Sequence, residues 1–386
     1  MSTSNLSFPP ELLTASPLDR VLYGQRIVVG HPKLTAAYEQ IWRHITYGKA
    51  GDIITVSGPT GVGKSTLSAR ITKELYQAAS IAMIADLSYI PVISIEAAKI
   101  GGAFDWKDFY TRFLEAAWEP QVEGKMDVDT ILKRKAIAAG PPPGGSCAYL
   151  RRVLERCLKE RRVVVALIDE AGHLARHTIG PRAQMDCVKS FASLSGTITL
   201  LVGTYDVLQL AKKSDQLSRR TQRIHLGRYH ADQADDLKAF HNTLFTLLQR
   251  LPLLEPPQVL QMSDFFYERS AGCIGILKDW LVRALTLAVD QNRPTITPKD
   301  IEKTAKPADE MHNIIEEILR GEQILREEEA VTSPMLRRML SFPGYSADET
   351  PANVSDTTVR PPKKTRRRLP GQRNPSRDAV GLPPTA

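Results

Sequence analysis

The sequence predicts an α/β fold, a parallel sheet flanked by helices, and three apolar strands that end in polar residues carry that prediction. The first, Ile53-Ile54-Thr55-Val56, breaks into Gly58-Pro59-Thr60-Gly61-Val62-Gly63-Lys64-Ser65-Thr66 and is followed by a helical run from Leu67 to Ala78. The second, Val163 to Ile168, is continuously apolar, as a strand buried on both faces should be, and ends in Asp169-Glu170. The third, Thr197 to Gly203, carries Thr204 at its tip. In open α/β sheets ligands bind at the carboxyl ends of the strands, where all these polar residues fall.

The first break has the spacing G-x-x-x-x-G-K-[ST] of a phosphate-binding loop, in the strand–loop–helix context that gives the pattern meaning. Its glycines, Gly58, Gly61 and Gly63, let the backbone around Pro59, Thr60 and Val62 curl so that N–H groups point at phosphate oxygens. The positive end of the following helix adds favourable potential for an anion. Lys64 is placed to reach the β- and γ-phosphates, Ser65 to offer a hydroxyl to Mg²⁺, and Thr66 to supply a second hydroxyl. Asp169 can join the Mg²⁺ shell, Glu170 can orient or deprotonate an attacking water, and Thr204 can hold that water or the γ-phosphate. ATP and Mg²⁺ are the expected cofactors. Beyond Thr204, the run Leu217-Ser218-Arg219-Arg220-Thr221-Gln222-Arg223 offers planar, permanently charged guanidinium groups. Arg219 or Arg220 is the candidate arginine finger, serving a neighbouring subunit's nucleotide; Arg223 reads as part of a solvated basic turn.

Elsewhere the pattern places a strand at Ile81 to Asp86 and an amphipathic helix at Trp106 to Trp118, whose aromatics suit a core better than a base-stacking surface. An irregular piece follows from Glu119 to Ser146, ending in Gly140-Pro141-Pro142-Pro143-Gly144-Gly145, and then a basic helix from Cys147 to Arg161. Lys99, Lys107 and Arg112 are candidate DNA contacts, each weighed against a solvated helix-face charge. His173 and His177 have i, i+4 spacing, but the H-E-x-x-H order and a third ligand are missing, so surface or supporting roles are preferred to a metal site. The acid-rich segment Asp309 to Glu329, with Ile314-Ile315 and Ile318-Leu319, reads as a further amphipathic helix packing on a neighbouring unit or a partner.

A chain of 386 residues exceeds what one hydrophobic core normally organises, so two packed domains with tails are expected. The apolar runs are too short for a bilayer crossing, which takes about 20 residues. The start lacks a basic and an apolar region of the secretory kind, so a soluble cytoplasmic protein is expected, without a membrane partner. Cys147, Cys157, Cys187 and Cys273 lack C-x-x-C spacing and suit reduced thiols. Of the net charge of +8, +7 belongs to residues 357–386, with eight basic residues against one acidic. That proline-rich tail holds too few apolar residues to order itself, and reads either as a DNA- or partner-binding tether or as a solubilising terminus.

Together, Gly58 to Ser65, Asp169-Glu170, Thr204 and Arg219-Arg220 resemble an AAA+ ATPase of the P-loop NTPase class. Gly24-Gln25-Arg26-Ile27-Val28-Val29 with His31-Pro32, and Ser270-Ala271-Gly272-Cys273-Ile274-Gly275-Ile276-Leu277, resemble the TnsC/TniB group of transposition regulators, over roughly Leu18 to Ala305. The resemblance implies an N-terminal extension (1–22), an AAA+ nucleotide-binding domain (23–250), a small helical lid with a further helix (251–330) and a basic tail (331–386). It also implies ATP-driven assembly of a homo-oligomeric ring or filament on duplex DNA, and disassembly through hydrolysis. The partners it implies are a transposase and a target-selection protein, either TniQ-like or an RNA-guided complex; the terminal tail is a further candidate for transposase contact. The family places a second sensor on the lid helix; here that helix offers Lys278 and Arg283, with Leu277-Lys278 where an arginine is typical. A helicase-loader or replication-type AAA+ ATPase, and a signalling NTPase switch that binds only proteins, are the competing readings.

Overall fold

The computed structural model describes residues 6–97, 99–100, 103–120, 122, 146–176, 181–212, 221–329 and 333–340. Helices α1 (Pro17–Arg26) and α2 (Pro32–Tyr47) precede strand β1 (Ile53–Ser57), the phosphate loop and α3 (Lys64–Ala85). Strands β2 (Val92–Glu96), β3 (Lys99–Ile100) and β4 (Ala103–Phe104) lead into α4 (Trp106–Ala116), then α5 (Cys147–Glu160), β5 (Val165–Asp169) and a 3₁₀ turn at Ala171–Arg176. Next come α6 (Pro181–Ser195), β6 (Ile198–Gly203), α7 (Asp206–Lys212) and β7 (Thr221–His225). The remainder is helical: α8 (Ala234–Gln249), α9 (Ser263–Ser270), α10 (Ile274–Asp290), α11 (Pro298–Thr304) and α12 (Ala308–Glu329).

The main sheet has five strands in the order β2-β5-β6-β1-β7, all parallel. This is the AAA+ P-loop NTPase fold. Strand alternation divides the sheet between two cores. Ala166 and Ile168 join Ile53, Ile93 and Leu201 under α4, α5 and α6, while Val165 and Leu167 join Ile54, Val56, Leu200 and Val202 under α2 and α3. The aromatics of α4 do serve the core: Phe109, Tyr110 and Phe113 are buried, whereas Trp118 is exposed beyond the helix end. Helix α5 begins as expected, with Ser146 accepting from the Tyr149 amide as its N-cap.

One strand lies elsewhere than expected. Ile81 to Asp86 is not a strand; α3 runs through it to Ala85, and Val92–Glu96 takes the place in the sheet. Ala78, Ala79, Ala82 and Ala85 keep the helix favourable, and Ile81 and Ile84 are 82% and 80% exposed, so no burial draws the segment into the sheet. Val92 and Ile93 are buried on both faces of the sheet instead.

A separate helical core forms behind the sheet. Trp280 sits at its centre, 1% exposed, donating its indole N–H to the Ile301 carbonyl at 3.0 Å and packed on Phe265 and Phe266. Helix α1 packs on α10, where Gly24 meets Leu285 and Val282. Helix α8 contributes Phe240, Leu244, Leu247 and Leu248 to the same core. Among the described residues no helix is long and apolar enough to cross a membrane. The last described helix, α13 (Ser333–Met339), belongs to a second compact unit, residues 328–386. The irregular piece between residues 119 and 146 lies largely, and the tail after residue 340 wholly, outside the described residues.

Replacing Trp280 by Ala leaves a cavity and strands the Ile301 carbonyl. The expected loss is about 3–5 kcal/mol, read from the urea midpoint of the full chain.

Candidate functional site

Parallel strands bring their carboxyl ends to one edge, and the register aligns the polar residues there. Ser57 pairs with Gly203 on one side and His225 on the other, while Glu96 pairs with Asp169. The phosphate loop therefore starts level with Thr204, and Asp169-Glu170 leave the sheet one strand beyond. A side chain at Gly172 would lie 3.7 Å from Thr204 Oγ1, which puts Thr204 against the turn that follows Glu170.

Loop residues Gly61 and Gly63 take φ of +74° and +110°, which L side chains rarely adopt. Gly63 is the N-cap of α3 and no side chain caps that end, so the first amide groups of the helix face the loop with their positive potential uncompensated by a cap. Lys64 is buried, and its Nζ donates to the carbonyls of Gly58 (3.0 Å) and Pro59 (2.8 Å). Burial holds the Lys64 ammonium below its ordinary pKa, opposed by the fields of Glu170, Asp169, Cys273 and Glu317, in that order. The loop thus meets the requirements of a polyphosphate: a backbone cradle, a buried cation, and hard oxygen donors from Ser65 and Asp169 for a divalent ion.

Glu170 has φ of +50°, an unusual conformation for a residue with a side chain, and its amide donates to Asp169 Oδ1 at 2.9 Å. Such strain concentrates where a side chain must be aimed. His173 is turned the other way, its Nδ1–H donating to the Ala97 carbonyl at 2.6 Å. His177, Arg219 and Arg220 lie outside the described residues. Arg223 is on β7.

Helix α10 touches the loop directly. The amides of Gly275 and Ile276, in the first turn of α10, donate to the Gly61 carbonyl at 2.7 and 3.3 Å. Val62, Gly63 and Thr66 line a cleft with Val28, His31, Ile274 and Lys278. Lys278 thus borders the loop, with its Nζ donating to the Gln25 carbonyl at 2.6 Å, while Arg283 donates to the Thr304 carbonyl on the α11 side. Of the candidate DNA contacts, Lys107 is exposed near the start of α4, Arg112 is paired with Asp108 at 2.8 Å, and Lys99 falls on β3.

Several site neighbours carried no recognisable sequence signal. Tyr205 Oη is 3.2 Å from His225 Nε2, beside Thr204. Arg228, just past β7, is held by Glu322 of α12 at 2.8 and 3.2 Å. Only the end of a strand at the sheet's carboxyl edge pointed toward such residues. His31 is 4% exposed and caps α2; its Nδ1 accepts from the Leu34 amide (3.4 Å) and lies 3.0 Å from Tyr229 Oη. Burial, and secondarily the charge of Lys33, lower its pKa from 6.5 to about 4.

Residues 48–211 match the family profile described as an AAA domain. The structure of the Aeropyrum pernix ORC2 protein, as ADPNP–ADP complexes, superposes with a TM-score of 0.51 at 14% identity, covering 74% of this chain and 70% of that one. The ADP form of the same protein gives 0.50 at 16% identity, covering 74% and 71%. Among curated proteins no sequence matches. The chain carries an AAA-family P-loop domain, and the likeness to ORC2 is one of fold.

Neutral His31 makes stability fall in acid. The unfolded chain takes up this proton near pH 6.5 and the folded chain only near 4, so stability is lost as pH drops through that window. In denaturant titrations at pH 7 and 4.5, His31→Asn, which can still cap the helix, should remove a slope worth at most about 3 kcal/mol.

Proposed function

We propose that this protein is an ATPase that assembles with ATP on duplex DNA and regulates transposition. The observation that carries the hydrolytic part is the convergence of Lys64, Asp169, Glu170 and Thr204 at one sheet edge, next to a helix N-terminus free of any side-chain cap. Lys64 binds the β- and γ-phosphates, exchanging two loop carbonyls for phosphate oxygens. Ser65 and Asp169 are the donors for Mg²⁺, which when bound neutralises phosphate charge. Glu170 accepts the proton of the attacking water, and Thr204 orients that water. Gly58 to Thr66 and Lys278 border the bound nucleotide, and Arg219 or Arg220 of an adjacent protomer completes the site.

Two segments that resemble transposition regulators, Gly24 to Pro32 and Ser270 to Leu277, meet at the loop: Ile27, Val28, Val29 and His31 share one cleft with Ile274 and Gly275. That meeting makes them parts of one nucleotide-responsive unit, and the resemblance supplies the client: a transposase and a target-selection protein, reached through a cytoplasmic homo-oligomer. In this reading residues 23–250 are the nucleotide-binding domain and 251–330 the lid. Lys99, Lys107 and Arg112 would face the DNA. The shared fold with ORC2 does not choose between transposition and replication; transposase binding does.

Lys64→Ala should weaken ATP affinity by at least about tenfold in equilibrium binding, and unchanged affinity would remove the loop from nucleotide binding. Glu170→Gln should retain ATP while turnover drops by about 10²–10⁴-fold, measured as phosphate release. Negative-stain images with duplex DNA should show rings or filaments with a non-hydrolysable ATP analogue and none with ADP. Isolated particles in both states would favour the protein-only switch.

A further inference from the structure

Helix α12 is an acidic helix laid against the nucleotide site. Its inner face carries Ile318, Gly321 and Glu322, which at this spacing share one side of the helix. Ile318, with Met311, packs on Ala271, Cys273 and Ile276 of the segment that donates to the phosphate loop. Gly321 lies on the ring of Tyr205, the residue after Thr204, so closely that a side chain there would collide with it. Glu322 is 5% exposed and takes Arg228 in a two-pronged grip, Nε to Oε1 at 2.8 Å and Nη2 to Oε2 at 3.2 Å.

Arg228 is itself tied to the loop. Leu226 donates its amide to Ser57 at 2.8 Å and presses its carbonyl against Gly58, so Arg228 leaves the backbone two residues from the loop's start. The buried Cys273 thiol is pushed up to about 12 by burial, against the fields of Arg228 and Lys64. Glu317, one turn before Gly321, acts on the Lys64 ammonium. Helix α12 thus sets one carboxylate, Glu322, directly on Arg228. A guanidinium fork matches carboxylate and phosphate in the same bidentate manner, so Glu322 occupies the geometry a phosphate would use. Both cannot hold it at once, and the incoming anion is repelled by the helix's acids.

We propose that Arg228 is a phosphate-binding residue of the nucleotide site, and that Glu322 masks it, so that α12 is a latch displaced by a triphosphate. The inference rests on the nucleotide-site reading above. In this arrangement the γ-phosphate takes Arg228 from Glu322, Gly321 lifts from Tyr205, and Thr204 becomes free to meet water. A diphosphate leaves the latch shut. The state of α12 therefore reports which nucleotide is bound.

The test uses the full chain with Mg²⁺, a non-hydrolysable ATP analogue and ADP. Arg228→Ala should lower affinity for the analogue about tenfold and change ADP affinity less than about twofold. Glu322→Gln should raise analogue affinity by about three- to tenfold with little effect on ADP. A merely structural ion pair would weaken both nucleotides together in both variants, and that result overturns the latch. As a readout free of mutation, amide exchange across residues 308–327 of the wild-type chain should quicken with the analogue and not with ADP; equal exchange overturns the proposal. Lys64→Ala separates the two readings. If the wild type binds and Lys64→Ala does not, while Arg228 and Glu322 variants behave as wild type, the nucleotide site stands and the latch falls. If the wild type binds neither nucleotide, both fall.

Discussion

The contact on which this site depends is between two backbones: the Gly275 amide donates to the Gly61 carbonyl at 2.7 Å, joining the first turn of α10 to the crown of the phosphate loop. Neither residue can carry a side chain there. A Cβ at Gly275 would strike the Gly61 carbonyl, and one at Gly61 would strike Ile276. Because the bond is made by main chain, it fixes position without a rotamer to lose, and any shift of the loop is felt by α10. The same helix continues from that turn into the helical core around Trp280.

Around that joint, charge is arranged unevenly. Lys64 is buried and satisfied by its own loop's carbonyls, with Asp169 and Glu170 close enough to oppose the effect of burial. Acids come from two directions, the end of β5 and the face of α12. Arg228, only 15% exposed at its side chain, meets a carboxylate that is 5% exposed. A buried pair of this kind costs desolvation on both sides, so it is weak as a source of stability and well suited to exchange for another partner of like geometry. A triphosphate has that geometry, which links the electrostatics of the site to the placement of the last long helix.

Much of the sheet was legible because its signals are local. Val163 to Asp169 is apolar throughout and then acidic, and the loop spacing needs no tertiary information. The segment Ile81 to Asp86 misled for an equally physical reason: a short apolar run fits a strand or a helix, and only burial separates them. Here the alanines extend α3, and the isoleucines stay exposed. Arg228 had no motif around it, and the segment around His31 did not show that residue's part, since both roles come from what folds against them, across 94 and 198 residues respectively.

By itself, the sequence determined the phosphate loop, the acidic strand end and the amphipathic helix of residues 309–329, because spacing and periodicity act within one element. Tertiary structure alone decided that the strands align these groups at one edge, that Lys278 borders the loop while Arg283 turns to α11, and that α12 brings Glu322 onto Arg228. Those facts depend on register and on which helix covers which edge, and a chain specifies both only through the packing of residues distant along it.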